Sequence, residues 1–195
     1  MSQTIDIPLA ALYNAIALCY HEMGDYRVAY PYYMKSYELL VKERGCKRKS
    51  TIIVKNNLRS LLALASDVGI YNFSGYTMEE FDFNGLIMAK GKFQSSNLIR
   101  CIFNNANLHH AIFQKSKIIG CSFRGAELYK VSFNDCIMNN SDFENANLKN
   151  VDFVGVIIEN INLKGAYLRN ACMTTEQIYR LKLSDRQISQ IIVVR

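Results

Sequence analysis

Every fifth residue from Phe83 to Met173 is large and apolar, at all nineteen positions. Two residues before each lies a second series, small or β-branched from Gly91 to Ala171. A spacing of two places both residues on one side of an extended backbone. A period of five fits neither a helix nor a flat strand. It fits a chain that turns a corner after each short extended piece. A longer period lies over the first, because side-chain identity recurs every twenty residues. Phe83, Phe103, Phe123 and Phe143 form one column, and Phe93, Phe113, Phe133 and Phe153 another. Leu108, Leu128, Leu148 and Leu168 form a third, and Leu98, Ile118, Met138 and Ile158 the fourth. Four five-residue sides then make one square coil. Like side chains stack coil on coil at the inter-strand spacing of about 4.8 Å, so five coils span roughly 24 Å. Upstream, Tyr71, Tyr76 and Phe81 are too wide for the small inner slot, which predicts an irregular first coil or a start near residue 80.

Residues 8–43 follow a helical period instead. Pro8 suits a first turn, and Tyr13, Ile16, Ala17 and Tyr20 share one face. Gly24-Asp25 breaks the helix; Ala29, Tyr33, Ser36, Tyr37 and Leu40 make a second face that Gly45 ends. A third helix is predicted from a Ser50 cap to Asp67, with Val54, Leu58, Leu61, Leu62 and Ala65 on one side and Gly69 after it. One hairpin cannot bury its own face, and an open first coil needs a lid, so the third helix is expected to cover that coil. Thr174-Thr175-Glu176-Gln177 reads as a helix start, and Ser184 or Asp185 as the start of another. Ile178, Leu181 and Leu183 are candidates to cap the last coil. The apolar ending Ile191–Val194 either packs on that cap or pairs with a second copy. The expected domains are 1–70 helical, 71–173 β-helical and 174–195 a C-terminal cap.

Two resemblances follow from these residues. Ala106-Asn107-Leu108, Ala126-Glu127-Leu128 and Ala146-Asn147-Leu148 resemble the repeat unit of the pentapeptide-repeat family over residues 81–173. The run from Tyr13 through Gly24-Asp25-Tyr26 to Ser36 resembles a single tetratricopeptide repeat, with Tyr13 where that family usually has Trp. Together they imply a mainly β protein with α: a right-handed quadrilateral β-helix preceded by an N-terminal helical hairpin and a capping helix. Terminal coils of the pentapeptide-repeat family often mediate dimers, so the tail is a candidate homodimer contact. Tetratricopeptide arrays grip carboxylate termini with Lys and Asn; the matching positions here are Asn14 and Leu18, and one hairpin does not suffice for that role.

Charge changes the picture little. The net charge is +6, yet residues 71–175 carry 10 Lys/Arg against 9 Asp/Glu. The six cysteines form no CxxC pair, which reads as reduced thiols in a cytoplasmic protein. The N-terminal apolar stretch lacks a basic lead, so no signal peptide is read, and no stretch reaches membrane-span length; delivery into a host cell as a bacterial effector stays open. No phosphate loop, HExxH or catalytic acid pair is present, and Ser96, Cys101, Ser116, Cys121, Cys136 and Ser141 fall on inward positions, where a thiol acts as a small hydrophobe. Neither an enzyme nor a cofactor or metal site is expected; His109-His110 reads as a solvated corner and His21 as a helix-surface or interface residue.

What remains is surface. Ile99 and Ile119 stack on one outward position, and Ile137 and Ile157 on another of the same side, more than scattered exposure supplies. Lys90, His110 and Lys130 share a corner position, and His109, Tyr129, Lys149 and Arg169 the position before it. The basic run from Lys42 to Lys49 reads as a helix–helix loop. The leading expectation is a non-catalytic interaction scaffold (adaptor, regulator or effector) with a protein partner. One alternative, implied by the quinolone-resistance members of the family, is a topoisomerase-binding DNA mimic; Asp82, Asp142 and Glu144 share a side, but Lys164 and Arg124 interleave. Another is nucleic-acid binding through the basic corner, which the near-neutral balance disfavours.

Overall fold

The computed structural model describes residues 6–45, 47–65, 69 and 71–194. It divides into two compact units, Met1–Ile70 and Tyr71–Arg195. Cys46, read above as a free thiol, and Asp67, read as a helix end, lie outside the described residues.

The first unit is helical. Helix α1 (Asp6–Glu22) and helix α2 (Tyr26–Arg44) form an antiparallel hairpin. The Asp25 side chain caps α2 by accepting from the Val28 amide at 3.3 Å. Gly45 closes the helix at φ 75°, donating its amide to Val41 O. The predicted α2 face of Ala29, Tyr33, Ser36, Tyr37 and Leu40 is buried throughout. Ser36, polar in that core, donates its hydroxyl to Ala10 O at 2.8 Å. Helix α3 (Lys49–Leu64) packs on α2 and buries Val54, Leu58, Leu61 and Leu62. Its start differs from expectation. The N-cap is Arg48, with no side-chain cap bond, and Ser50 already lies inside the helix. Thr51 explains the earlier start, because its hydroxyl donates to Gly45 O at 2.9 Å and ties α3 to the end of α2. The basic run 42–49 is thus half helix ends, with residues 45–48 between them.

The second unit is a solenoid. Strands β1 (Thr77–Glu79), β2 (Asn97–Ile99), β3 (Lys117–Ile119), β4 (Ile137–Asn139) and β5 (Ile157–Glu159) form a parallel sheet in that order. Each register step is twenty residues: Met78 pairs Leu98, Leu98 pairs Ile118, and so on. The other three sides pair through single bridges with the same offset, such as Asp82–Ile102, Ile87–Asn107 and Lys92–Ile112. Four sides per coil follow. The regular coil begins earlier than residue 80: Asn72 already bridges Lys92, and β1 is in register with β2. Tyr71 and Phe81 are buried in the small-residue slot after all. Within the solenoid an end coil has one neighbouring coil rather than two, so the slot there holds a wide ring.

Inside, the phenylalanines make two columns. Phe83, Phe103, Phe123 and Phe143 lie 4.6–4.7 Å apart and nearly coplanar in tilt. Phe73, Phe93 and Phe113 stack at 4.9 and 4.5 Å, and the columns meet edge to face, as at Phe93–Phe103 (5.6 Å, 80°). Both arrangements are favoured by the ring quadrupole. Of the nineteen predicted large positions only Ile158 is not fully buried.

The corners need a backbone that L-residues resist. At every fifth residue from Gly75 to Asn170 φ is positive. Glycine fills some of these positions and asparagine many others, including Asn105, Asn140, Asn145, Asn150, Asn160 and Asn170, the residue types that tolerate the left-handed region. A typical corner closes with the Ala106 amide donating to Phe103 O at 3.1 Å, with Asn105 at φ 55° between them.

The tail is not simply a cap. Strand β6 (Cys172–Thr174) pairs in parallel with strand β7 (Ile192–Val194) at the same twenty-residue offset. Ile191–Val194 therefore resumes the solenoid. Between them, helix α4 (Thr175–Leu181) and helix α5 (Asp185–Ile188) replace regular sides. Both begin in capping boxes, Thr174/Gln177 and Ser184/Gln187. Gln177 also donates its side-chain amide to Phe153 O (2.7 Å) and Val156 O (3.0 Å). Ten residues on, Gln187 does the same to Leu163 O (2.7 Å) and Ala166 O (3.4 Å). The last regular coil has its free carbonyls satisfied by two glutamines that repeat the coil's own spacing.

Candidate interaction surfaces

Most cysteines and serines at the inward positions of the solenoid are buried. Cys101, Cys121 and Cys136 are buried free thiols, and Cys136 donates to Phe113 O at 2.8 Å. Burial pushes the Cys101 thiol well up and the Cys136 thiol up to about 12, away from the thiolate that reactivity requires, while the hydrogen bond with the Cys101 side chain draws the neighbouring Cys121 thiol down. Ser96 donates to Phe93 O at 2.7 Å from a buried position. Among the described residues no three His, Cys, Asp or Glu side chains group as metal ligands. None of their helices is long and apolar enough to cross a membrane. In the helical unit His21 faces inward: its Nδ1 lies 3.0 Å from the Tyr33 hydroxyl, and its ring meets Tyr26 and Tyr33 edge-on.

The outward isoleucines sit where the register puts them. Ile99 pairs Ile119 across β2 and β3, and Ile137 pairs Ile157 across β4 and β5. All four lie on the outer face of the five-stranded sheet. Ile157 is 63% exposed, and the other three are half-buried against their neighbours. The face is not wholly apolar, since Lys117 stands beside Ile137, and Asn139 beside Ile119.

The basic positions form one continuous corner. Lys90 N donates to His109 O, His110 N to Tyr129 O, Lys130 N to Lys149 O, and Asn150 N to Arg169 O. The two sequence columns are thus linked rung by rung. Tyr129 is the hinge of the cluster: the Lys130 and Lys149 ammoniums lie 5.4 and 5.6 Å from its ring centre, and both histidine rings meet it edge-on. His109 Nε2 is buried without a hydrogen-bond partner, 3.6 Å from Glu127 Oε2. Composition could not have revealed that Glu127 approaches His109, because the two stand in different columns.

The acid-bearing side is internally neutralised. Arg124 holds Asp142 at 2.7 Å and Glu144 at 2.8 Å, and one side earlier Arg100 holds both Glu79 and Glu80. The carboxylates raise both guanidinium pKa values further.

Fold and surface together define a parallel β-solenoid with a packed interior and four sides per coil. Residues 86–163 match the family model described as the pentapeptide repeat region. No curated protein matches the chain. Solved structures do. A pentapeptide repeat protein (Rfr23) from the cyanobacterium Cyanothece 51142 is 19% identical, covering 49% of this chain and 82% of that one (TM-score 0.26). One from the thylakoid lumen of Arabidopsis thaliana is 22% identical over 59% and 73% (TM-score 0.28). QnrB1, a plasmid-mediated fluoroquinolone resistance protein, is 14% identical over 64% and 89% (TM-score 0.26).

Proposed function

We infer that the chain is a non-catalytic interaction scaffold, an adaptor or regulator that binds a protein partner on the outer face of the β1–β5 sheet. The observation that carries this reading is the paired stacking of Ile99 on Ile119 and Ile137 on Ile157. Four outward isoleucines on one flat, rigid sheet offer apolar area without loss of side-chain order on binding. The interior supports the same reading, because its thiols and hydroxyls are occupied with packing and backbone bonds.

A photo-crosslinking residue placed at 119 or at 137 is expected to trap the same protein. The Ile119→Asp, Ile137→Asp double variant is expected to lose it while keeping the wild-type circular dichroism spectrum. Undiminished capture by the double variant would remove the partner from this face.

The DNA-like reading gains nothing from the acid-bearing side, where arginines occupy the carboxylates. In a gyrase supercoiling assay, micromolar protein is expected neither to inhibit nor to protect; either effect would revive that reading.

A further inference from the structure

The basic corner is separate from the isoleucine face, and it differs from every other charged part of the solenoid. Its two columns alone hold more than one Lys or Arg and no Asp or Glu. Arg100 and Arg124 each hold two carboxylates of this chain. Lys90, Lys130, Lys149 and Arg169 hold none among the described residues, and Lys130 and Lys149 are steered instead by the Tyr129 ring. Glu127, the one acid on this side, accepts from the Asn147 amide at 2.7 Å and lies 3.6 Å from His109 Nε2, away from the four Lys and Arg side chains.

We propose that this corner docks an α-helix of a partner protein that carries an acidic stripe, lying along the solenoid axis. Spacing selects the helix. The ladder advances about 4.8 Å per coil. Acidic residues alternately three and four apart on a helix advance about 5.3 Å per step. Over the four steps from Lys90 to Arg169 the mismatch is about 2 Å by those two spacings, within reach of flexible lysines. Same-face residues of an extended peptide advance about 6.7 Å and overrun the ladder by nearly 8 Å. Consecutive phosphates along one strand of a duplex advance about 3.4 Å and do not meet the ladder one per coil. The backbone-bonded rungs hold the main chain that carries the cations in a fixed line, one coil above the next.

The probe is a stapled helix with Glu at i, i+3, i+7, i+10 and i+14, labelled for fluorescence anisotropy at low salt. Its controls are a stapled helix of the same composition with the glutamates scattered around it, and a single-stranded oligonucleotide of equal charge. The striped helix is expected to bind best, and binding is expected to fade with added salt. The variant Lys90→Asn, Lys130→Asn, Lys149→Gln, Arg169→Gln is expected to bind at least about tenfold more weakly. It should fold, because Asn150 and Asn170 already occupy the same corner position; an unchanged circular dichroism spectrum checks this. The Ile119→Asp, Ile137→Asp variant is expected to bind the striped helix as the wild type does. Equal binding of the scattered helix, tighter binding of the oligonucleotide, no binding of the striped helix, or loss in the isoleucine variant each overturns the proposal. Because this surface is independent of the isoleucine face, either proposal can fail alone.

Discussion

The helical unit and the solenoid fill their cores by opposite rules. In the solenoid a buried side chain meets a residue of similar character one coil on, and often its own likeness, as Phe103 meets Phe123 at 4.7 Å. In the helical unit each buried contact occurs once: His21 with Tyr33, the Ser36 hydroxyl with Ala10 O, Asn57 with Asn14. A repeated contact needs only a period in the sequence. A unique contact needs a particular pair of residues. The first rule leaves the outer surface free to vary, which suits a scaffold, and makes stability a sum over neighbouring coils.

The largest break in that comparison is a hole in a column. Phe123 is stacked between Phe103 and Phe143, each 4.7 Å away, and is fully buried. Phe123→Ala removes two stacked faces and leaves a cavity that a rigid ladder cannot collapse. It is expected to cost about 3–5 kcal/mol in denaturant unfolding of the solenoid. A loss below about 1 kcal/mol would mean that the coils close over the gap and that the column is not the unit of stability.

The end of the solenoid comes next. Gln177→Ala leaves Phe153 O and Val156 O without the side-chain amide, and Gln187→Ala does the same to Leu163 O and Ala166 O. Each is expected to cost about 1–2 kcal/mol. Faster amide exchange should appear in residues 151–194 and not in the early coils. Uniform exchange would show that the solenoid opens as one body rather than from its end.

In the helical unit the comparable probe is a single hydroxyl. Tyr33 is buried, and desolvation raises its pKa from 10.0 to about 12, with the Glu22 charge adding to the effect. Between those values the unfolded chain has lost the phenol proton and the folded one keeps it. Stability is therefore full below pH 10 and declines as pH rises towards 12. Tyr33→Phe is expected to flatten that decline while costing about 1 kcal/mol at neutral pH through the lost bond to His21. Helical circular dichroism against denaturant at several pH values reads both.

The same contrast explains what the sequence disclosed. The five- and twenty-residue periods made the columns, the four sides and the outward isoleucines legible, because register follows from counting. The basic corner was legible as two columns; their backbone linkage and the approach of Glu127 to His109 were not, since both depend on how far one coil shifts over the next. The early start at Asn72 was hidden by Tyr71 and Phe81, whose bulk violates the interior pattern only where a full stack surrounds it. The return of Ile192–Val194 to the solenoid was hidden by α4 and α5, which break the five-residue period while conserving the coil's length of twenty. In the helical unit Ser50 was a misleading cap signal, because the Thr51 hydroxyl bonds the Gly45 carbonyl at the end of α2 and the helix already begins at Lys49.

The smallest effect separates the two units most cleanly, because one substitution should change sign between them. Lys115 is an exposed solenoid corner at φ 62°. Lysine resists that backbone and asparagine tolerates it, so Lys115→Asn is expected to stabilise the solenoid by a few tenths of a kcal/mol. Lys35 is an exposed residue within α2, its ammonium 5.5 Å from the Tyr13 ring centre and 5.7 Å from that of Tyr32. There asparagine is the poorer helix former and forfeits the ring contacts, so Lys35→Asn is expected to destabilise the helical unit by about 1 kcal/mol. Paired denaturant melts of the two variants measure the difference. If both substitutions move stability in the same direction, the left-handed backbone is not what favours asparagine at these corners, and some other demand of the coil must be sought.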